Sequence, residues 1–344
     1  MVEIPRKTVD AIYSFHHDCQ ADSRPHLGCS LIGSDCERNL WLTFRNALRP
    51  DFSGRMIRLF KRGKVEESIF ATELKAIGCE LIMGDDAGKQ FLVEWHGGHF
   101  AGSVDGIIAS GVIEAPNTPH LLEIKTINDR GYKELEKKGL KIARPRYYAQ
   151  VQVYMKGKKL KRCLFLATNK NTDAIYMERV RYDAKAANYY VNLAKKIIEI
   201  PTPPERLPDT AECKWCDYRE LCHGKQMPRS YCRTCAHSTP KLDGHRRWVC
   251  EKFGCDIDYD VQTAGTCPKH LYIPDLINCY DFVEATDEWV KYRNPVNGYE
   301  FKNGDRHELD ERDVYTSAEL ASINPVIQGN AALTMVRDDL GGTV

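Results

Sequence analysis

The sequence predicts an α/β protein, in which helices flank a central mixed β-sheet and a small cysteine-rich region follows. One observation behind this prediction is the order of hydrophobic patterns: helix, several strands, helix and further strands. Another is that six of the 14 cysteines fall in two short patterns between residues 213 and 250. The third is composition. With 344 residues, 42% hydrophobic and 28% charged, the chain suits one large or two smaller globular domains and not a disordered, collagen-like or coiled-coil protein.

The individual elements follow from periodicity and turn residues. The stretch before residue 35 contains Pro25 and Gly28 and is expected to be irregular. Helices are expected near residues 35–41 and over 55–77, where Gly78 ends the second. Short β-like runs with the spacing of a meander then cover residues 79–83, 90–95, 100–108 and 120–127. Further predicted elements are a basic loop or short helix over 130–146, helices over 147–155 and 183–200, and strands over 162–168 and 174–180.

Charge is segregated along the chain although the net charge is only +1. Residues 130–170 carry 13 Lys or Arg against two Glu, and residues 45–64 carry seven against one Asp. Residues 273–344 carry 14 acidic and six basic side chains. Such segregation indicates that one part of the molecule binds a polyanion, although solvated helix faces without a partner would explain either basic run taken alone.

The sequence lacks both a run of roughly 18 apolar residues and an apolar secretion signal at its start, so we expect a soluble, cytoplasmic protein without a membrane partner. Thiols stay reduced in the cytoplasm, and the cysteine patterns therefore indicate metal ligands rather than disulfides. Cys79 and Cys163 lie in apolar runs and are expected to be buried core residues.

Two strand segments carry a carboxylate–lysine pattern. Asp105 lies in Gly-Ser-Val-Asp-Gly, and Glu123 and Lys125 lie in Leu-Leu-Glu-Ile-Lys-Thr. Side chains alternate along a strand, so Glu123 and Lys125 share one face and the carbonyl of Ile124 lies near it. Two carboxylates and a carbonyl form the oxygen shell that Mg²⁺ or Mn²⁺ prefers. Lys125 could position or help deprotonate an attacking water, although a Lys–Glu pair is also common on solvated strands.

Two helices add residues to this pattern. Glu67 on the helix over residues 55–77 could reach the same ion, with Glu66 as the alternative. Gln150 and Tyr154 lie four residues apart on one helix face and could hold the attacking water or a phosphate. An ordinary amphipathic helix would also explain the last pair.

Glu67, Asp105, Glu123-x-Lys125 and Gln150-x3-Tyr154, in this order, resemble the RecB-like branch of the PD-(D/E)XK nuclease superfamily. This family often has His at the position of Glu67, and the Glu form is more similar to lambda exonuclease and its relatives. The resemblance covers roughly residues 26–224 and implies a PD-(D/E)XK core. It also implies a Mg²⁺- or Mn²⁺-dependent DNA exonuclease that acts on DNA ends or single strands in recombination, repair or defence. Its implied catalytic residues are Glu67, Asp105, Glu123, Lys125, Gln150 and Tyr154, and its implied ion ligands are Glu67, Asp105, Glu123 and the carbonyl of Ile124.

A catalytically silent nucleic-acid-binding or assembly scaffold is the alternative function, and a cysteine-based redox enzyme is a weaker third. DNA is the expected partner. Tyr132, Tyr147 and Tyr148 are candidates to stack on unpaired bases, or else core residues. The expected phosphate contacts are Arg130, Lys133, Lys137, Lys138, Lys141, Arg144 and Arg146.

The first cysteine pattern, Cys213-x2-Cys216-x5-Cys222, supplies three thiolates, and an iron–sulfur cluster needs four. Zinc could also use them with His223 or a distant cysteine. Iron–sulfur members of the same superfamily place one cysteine before the nuclease core and three after it. This resemblance implies a [4Fe–4S] cluster held with Cys36, or less favourably Cys29, as the fourth ligand.

The second set suits tetrahedral Zn²⁺, with rivals at Cys255, His237, His245 and His270. Its predicted ligands are Cys232, Cys235, Cys250 and Cys267. The sequence thus divides into four predicted segments: an N-terminal extension (1–34), a nuclease core closed by the iron–sulfur cluster (35–224), a zinc-binding module (225–272) and an acidic segment (273–344) with a hairpin near 289–301 and a tail that could bind a protein partner.

Overall fold

The computed structural model describes residues 6–20, 23–85, 87–209, 213–265, 267–309 and 312–321. The chain forms two compact units. Unit 1 comprises Met1–Gly33, Pro50–Trp95 and Phe100–Ala194. Unit 2 comprises Ser34–Arg49, His96–His99 and Lys195–Val344. The four-segment division drawn from the sequence stays a prediction.

The described chain contains both helices and strands throughout its length. The helices are α1 (Lys7–Asp18), α2 (Glu37–Phe44), α3 (Gly54–Ala76), α4 (Asp129–Ala143), α5 (Pro145–Lys158), α6 (Ala184–Glu199), α7 (Arg219–His223), α8 (Tyr259–Ala264), α9 (Arg306–Leu309) and α10 (Ser317–Ala321). The strands of unit 1 are β1 (Leu27–Gly28), β2 (Glu80–Ile82), β3 (Leu92–Trp95), β4 (Phe100–Ser103), β5 (Gly106–Ser110), β6 (His120–Ile127), β7 (Arg162–Asn169) and β8 (Ile175–Arg181). The strands of unit 2 are β9 (Ser238–Pro240), β10 (Trp248–Cys250), β11 (Cys255–Asp256), β12 (Asp281–Ala285), β13 (Trp289–Arg293), β14 (Glu300–Gly304) and β15 (Val314–Tyr315).

The central sheet of unit 1 has the strand order β2-β5-β6-β7-β8. Strands β6 and β7 are parallel, with Glu123 opposite Phe165, and the other neighbours are antiparallel. The prediction of a mixed α/β protein is therefore confirmed. Cys79 and Cys163 are buried in this unit, as expected.

The predicted meander is wrong in one respect. The run over residues 100–108 forms two strands, because β4 joins a separate sheet with β1 and β3 while β5 pairs with β2 and β6. The break falls at Val104 and Asp105, which belong to neither strand. Asp105 thus lies where the chain passes from one sheet to the next.

The expectation of an irregular N-terminus is also wrong, because α1 is a regular helix of 12 residues. It packs along α3, and the two backbones meet at Gly54, where an added Cβ would clash with the carbonyl oxygen of Tyr13. This helix depends on a distant contact, which local periodicity does not reveal.

Helix α3 begins at Ser53, whose hydroxyl accepts a hydrogen bond from the backbone N–H of Met56. Its second half packs on the sheet, since Phe70 and Leu74 share one buried cluster with Leu122 and Ile124 of β6. Gly78, with φ of +93°, follows the end of the helix. This packing brings one turn of α3 against β6.

Unit 2 contains a three-stranded sheet, β11-β10-β9, and a four-stranded sheet, β12-β13-β14-β15. The predicted hairpin is confirmed by the antiparallel pairing of β13 with β14, and Tyr292 and Phe301 of this pair stack in an aromatic core. The acidic tail beyond residue 321 lies outside the described residues. Within the described ranges, no helix has the length and apolar character that crossing a bilayer requires.

Candidate functional site

The face of β6 opposite its apolar core contacts carries the predicted Glu–Lys pair. Glu123 is fully buried (0% exposed), and Lys125, two residues further on, donates to its Oε1 atom. Oε2 of Glu123 has no hydrogen-bond partner within the described part of the chain. A buried carboxylate with one oxygen unsatisfied is costly unless a cation or donor joins it.

Asp105 joins this pair because the hydrogen-bonded pairing of β5 with β6 ends beside it. The β5–β6 ladder stops at Gly106 opposite Leu122, so the next outward N–H of β6 lacks a strand partner. Oδ2 of Asp105 accepts that hydrogen bond, from the backbone N of Ile124, at 2.9 Å. The N–H and C=O of one strand residue point to the same side, and the Ile124 carbonyl therefore also faces the side of Asp105.

The charges of the cluster are coupled. Burial raises the pKa of Glu123 to about 8, with Lys125 opposing the shift and Asp105 adding to it. Burial likewise raises the pKa of Asp105. Burial alone would lower the pKa of Lys125, but the charges of Glu123 and Asp105 outweigh it and raise the pKa. Two buried carboxyl groups thus share one ammonium group, and burial disfavours the ionisation of both.

Helix α3 contributes Glu67. Burial raises the pKa of this half-buried carboxyl, the charge of Asp105 raises it further, and Lys125 lowers it. The neighbouring Glu66 instead accepts a hydrogen bond from the Thr168 hydroxyl of β7. The two alternatives from the sequence thus differ in their surroundings: the Glu67 carboxyl is coupled to the charges of Asp105 and Lys125, and Glu66 is hydrogen-bonded to Thr168.

Helix α5 contributes Gln150 and Tyr154, both buried. Nε2 of Gln150 donates to the Tyr154 hydroxyl at 3.3 Å, while Oε1 of Gln150 has no partner among the described residues. The Tyr154 ring packs on Gly102 of β4, where a Cβ would lie 2.6 Å from the hydroxyl oxygen. Gln150 thus offers one free acceptor on the helix that packs against β6.

The structure gives Tyr147, which the sequence names only as a base-stacking candidate, a contact within this site. Lys125 Nζ lies 5.4 Å from the centre of the Tyr147 ring, a cation–π distance. Tyr147, Gln150 and Tyr154 follow the i, i+3, i+7 spacing of one helix face, which was the available signal. Of the other base-stacking candidates, Tyr132 and Tyr148 are buried and belong to the core.

The basic residues predicted to contact DNA lie on α4 and at the start of α5. Lys137 and Lys138 are exposed. Four of the other predicted contacts form ion pairs with carboxylates within unit 1. Arg146 also interacts with another group of the protein. The pairs are Arg130–Glu134 (3.8 Å), Lys133–Asp129 (2.7 Å), Lys141–Asp183 (3.9 Å) and Arg144–Glu134 (2.8 Å). The α4 surface is therefore partly neutralised by its own carboxylates.

The first cysteine set lines one cavity of unit 2, where Cys36, Cys213, Cys216 and Cys222 all lie. Asn39 donates its backbone N–H to Cys36 Sγ at 3.4 Å and its side-chain amide to Cys216 Sγ at 3.3 Å. Burial raises the pKa of Cys222, and the charges of Cys216 and Cys36 add to the rise. Cys29, the less favoured substitute, is buried beside Gly102 of unit 1.

A second ligand set overlaps this cavity. In the described residues, donor atoms of Asp209, Cys213 and His223 lie within 4.8 Å of one another. Asp209 also forms a two-point pair with Arg219, at 3.1 and 2.7 Å. The sequence analysis gives His223 as an alternative zinc ligand, whereas Asp209 lies in no motif that would indicate a ligand.

The predicted zinc ligands line a second cavity of unit 2: Cys232, Cys235, Cys250 and Cys267. Burial raises the pKa of Cys232, and the other three sulfurs add to the rise. His237 and His270 line the same cavity, whereas Cys255 is exposed on β11 opposite Cys250 of β10. Nε2 of His270 lies 3.1 Å from the Tyr231 carbonyl oxygen, and its Nδ1 has no partner among the described groups.

The fold and this geometry define a mixed α/β protein with a buried carboxylate–lysine cluster on its central sheet. No protein-family model matches the sequence, and no curated protein matches it. Among solved structures, SSO0001 is 16% identical with a TM-score of 0.40, over 64% of this chain and 97% of that one. The alkaline exonuclease LHK-Exo from Laribacter hongkongensis is 15% identical with a TM-score of 0.37, over 54% of this chain and 89% of its own. LHK-Exo in complex with dAMP gives 14% and 0.35 over the same shares.

Proposed function

We propose that the chain is a metal-dependent deoxyribonuclease that hydrolyses phosphodiester bonds, acting as an exonuclease on DNA ends or single strands. The observation that carries the proposal is the convergence of Asp105, Glu123 and Lys125 where the β5–β6 ladder ends. Recombination, repair and defence are processes that use such an activity. In this proposal, unit 1 has a PD-(D/E)XK core, as the order of its motifs indicates.

The donor set fits Mg²⁺ or Mn²⁺, because hard divalent cations take oxygen ligands and this cluster offers three carboxylates. Among the described residues, Oε2 of buried Glu123 has no hydrogen-bond partner, and a divalent cation would satisfy it. Glu67, Asp105, Glu123 and the carbonyl of Ile124 would hold the ion. When bound, the ion would stabilise charge that develops on the scissile phosphate.

The remaining steps belong to the chain's own side chains. Lys125 places an ammonium group beside Glu123, where it donates to the attacking water or to a phosphate oxygen as negative charge develops. Gln150 has a free Oε1, which accepts a hydrogen bond from the water and orients it. The Tyr154 hydroxyl accepts from the amide of Gln150 and thereby keeps Oε1 pointed away from itself.

Phosphate contacts are proposed for the basic residues of α4 and the start of α5. Lys137 and Lys138 are the most available, because they are exposed and the structure pairs Arg130, Lys133 and Arg144 with nearby carboxylates. DNA binding by this surface would weaken steeply as salt rises.

The decisive experiment incubates end-labelled single- and double-stranded DNA with the full chain in Mg²⁺ or Mn²⁺. Wild type should degrade DNA, while Glu123→Ala and Lys125→Ala should each lose about 100-fold or more in rate. Glu66→Gln is the matched control, because Glu66 is bonded to Thr168 and should retain activity. Equal degradation by wild type and both alanine variants would contradict the mechanism. Binding without cleavage by wild type would favour the scaffold alternative.

For the cysteine sets we propose a [4Fe–4S] cluster at Cys36, Cys213, Cys216 and Cys222 and Zn²⁺ at Cys232, Cys235, Cys250 and Cys267. Support comes from the placement of each set in one cavity and from the sulfur chemistry of its ligands. Anaerobically purified protein should be brown and contain iron, sulfide and zinc. Colourless protein with zinc at both sets would instead favour the site that includes Asp209 and His223.

A further inference from the structure

Helix α1 and the first part of α3 form a two-helix arm in unit 1, defined here as residues 7–18 and 54–69. The helices meet at Gly54 and Tyr13, and Lys61 Nζ lies 3.3 Å from Nδ1 of His16 further along. The described residues of α1 include none that is buried, and those of α3 between Gly54 and Phe70 include none either. The arm therefore presents most of its surface to solvent.

The arm carries concentrated positive charge. Residues 55–64 contain five basic side chains and no acidic one: Arg55, Arg58, Lys61, Arg62 and Lys64. All five are exposed, and none forms an ion pair with a carboxylate of the described residues. This distinguishes the arm from α4, where Arg130, Lys133 and Arg144 already have carboxylate partners.

The position of these charges is unfavourable for the helix itself. Basic side chains near a helix N-terminus oppose the helix dipole, and α3 has no acidic residue in its first turn. Arg58 and Arg62 are like charges four residues apart, which also destabilises an isolated helix. A stability role therefore does not explain the row, whereas an anionic partner does.

Three of the arginines form a row along one face of α3. Arg55, Arg58 and Arg62 follow the i, i+3, i+7 spacing of one helix face and span about 10 Å at 1.5 Å per residue. Glu67, whose carboxyl is coupled to Asp105, follows about 7 Å further along the same helix. At 100° per residue, Glu67 lies about 150° around the helix axis from the row, so the row and the carboxylate cluster occupy different faces of α3.

We propose that the arm binds single-stranded nucleic acid, with Arg55, Arg58 and Arg62 on successive backbone phosphates. We assign single strands rather than duplex as the partner because the arm also exposes an aromatic ring, that of Phe15 (61% exposed). An unpaired base can stack on this ring. Binding by the arm does not rest on the proposed nuclease function.

The test measures fluorescence anisotropy of a labelled single-stranded oligonucleotide with the full chain in EDTA, across a series of salt concentrations. For Arg55→Gln/Arg58→Gln/Arg62→Gln, the affinity at about 0.1 M salt should fall on the order of 100-fold, and the slope of log K against log salt should shrink by about 2. The variant Arg55→Lys/Arg58→Lys/Arg62→Lys keeps the three positive charges and should retain most of the affinity. The matched control replaces three exposed lysines elsewhere in unit 1, Lys75, Lys89 and Lys185, with Gln.

Thermal melting verifies that each variant is folded. If the Arg55→Gln/Arg58→Gln/Arg62→Gln variant and the control that lacks Lys75, Lys89 and Lys185 have the same affinity and salt slope, the arm does not bind the strand. The nuclease proposal is then unaffected. If the triple loses binding while wild type fails to cleave DNA in Mg²⁺ and Mn²⁺, the arm is supported and the nuclease proposal fails. A Phe15→Ala variant with unchanged preference for single strands over duplex would overturn the stacking contact.

Discussion

Replacing Gly102 with alanine tests how the Tyr154 side chain is held in the candidate site. An added Cβ would lie 2.6 Å from the Tyr154 hydroxyl oxygen, 2.8 Å from its Cε1 and 3.0 Å from Cβ of Cys29. Tyr154 is 3% exposed, so its ring cannot swing into solvent to make room. The ring must shift, which disturbs the hydrogen bond from Gln150.

The magnitude follows from overpacking. Inserting a methyl group into a packed core costs about 1–3 kcal/mol, while replacing glycine in a strand returns about 0.5–1 kcal/mol of backbone entropy. We expect Gly102→Ala to lower the free energy of unfolding by about 1–2 kcal/mol and the Tm by several degrees. DNA cleavage should fall as well, because Gln150 loses its fixed orientation.

A double-mutant cycle with Tyr154→Phe isolates the contribution of the contact between the new methyl group and the Tyr154 hydroxyl. This second change removes the atom nearest to the new methyl group, so Gly102→Ala should cost about 1 kcal/mol less when it is made in the Tyr154→Phe variant than in wild type. Gly63→Ala on α3 is the matched control, since nothing lies within 4 Å of its added Cβ. It should raise stability by about 0.5–1 kcal/mol. Additive effects in the cycle would show that Tyr154 does not pack on Gly102 as described.

Three further predictions concern charge, pH and metal. Lys125→Met should lower the free energy of unfolding by about 3 kcal/mol in metal-free denaturation, because Glu123 stays buried without its partner. Adding Glu123→Gln should restore most of this stability, and no restoration would contradict the ion pair. His99 is 0% exposed and burial lowers its pKa to about 4, so it contributes stability that is full above about pH 6.5 and declines as the pH falls towards 4. Urea titrations at several pH values should show His99→Gln reducing this slope, and an unchanged slope would refute it. Cys232→Ser should remove zinc from the purified protein and lower its Tm, and retention of one zinc per chain would exclude Cys232 as a ligand.

Sequence reasoning worked where the relevant contacts are local. The two-residue period of β6 placed Glu123 and Lys125 on one face, and they do form an ion pair. The helical period predicted α3 over nearly its full length, from Gly54 to Ala76. In both cases, the pattern of neighbouring residues determines which side chains share a face.

The features that the sequence missed depend on distant partners. Helix α1 has no buried residue of its own in the described structure and gains its place through the contact of Tyr13 with Gly54. The break between β4 and β5 arises because each strand has different neighbours in space. The sequence does name Asp105 as a candidate, but its hydrogen bond to Ile124 at that break depends on the strand neighbours and is not revealed by its motif.

The hydrogen bond between Asp105 and Ile124 gives one side chain two duties. Its carboxylate accepts the backbone N–H of Ile124 beyond the end of the β5–β6 ladder, so it satisfies a donor that a strand partner would otherwise take. An alanine there would remove a proposed ion ligand and this hydrogen bond together, and a loss of activity in such a mutant would not by itself indicate chemistry. Asparagine, which keeps the acceptor but not the charge, is the substitution that separates the two.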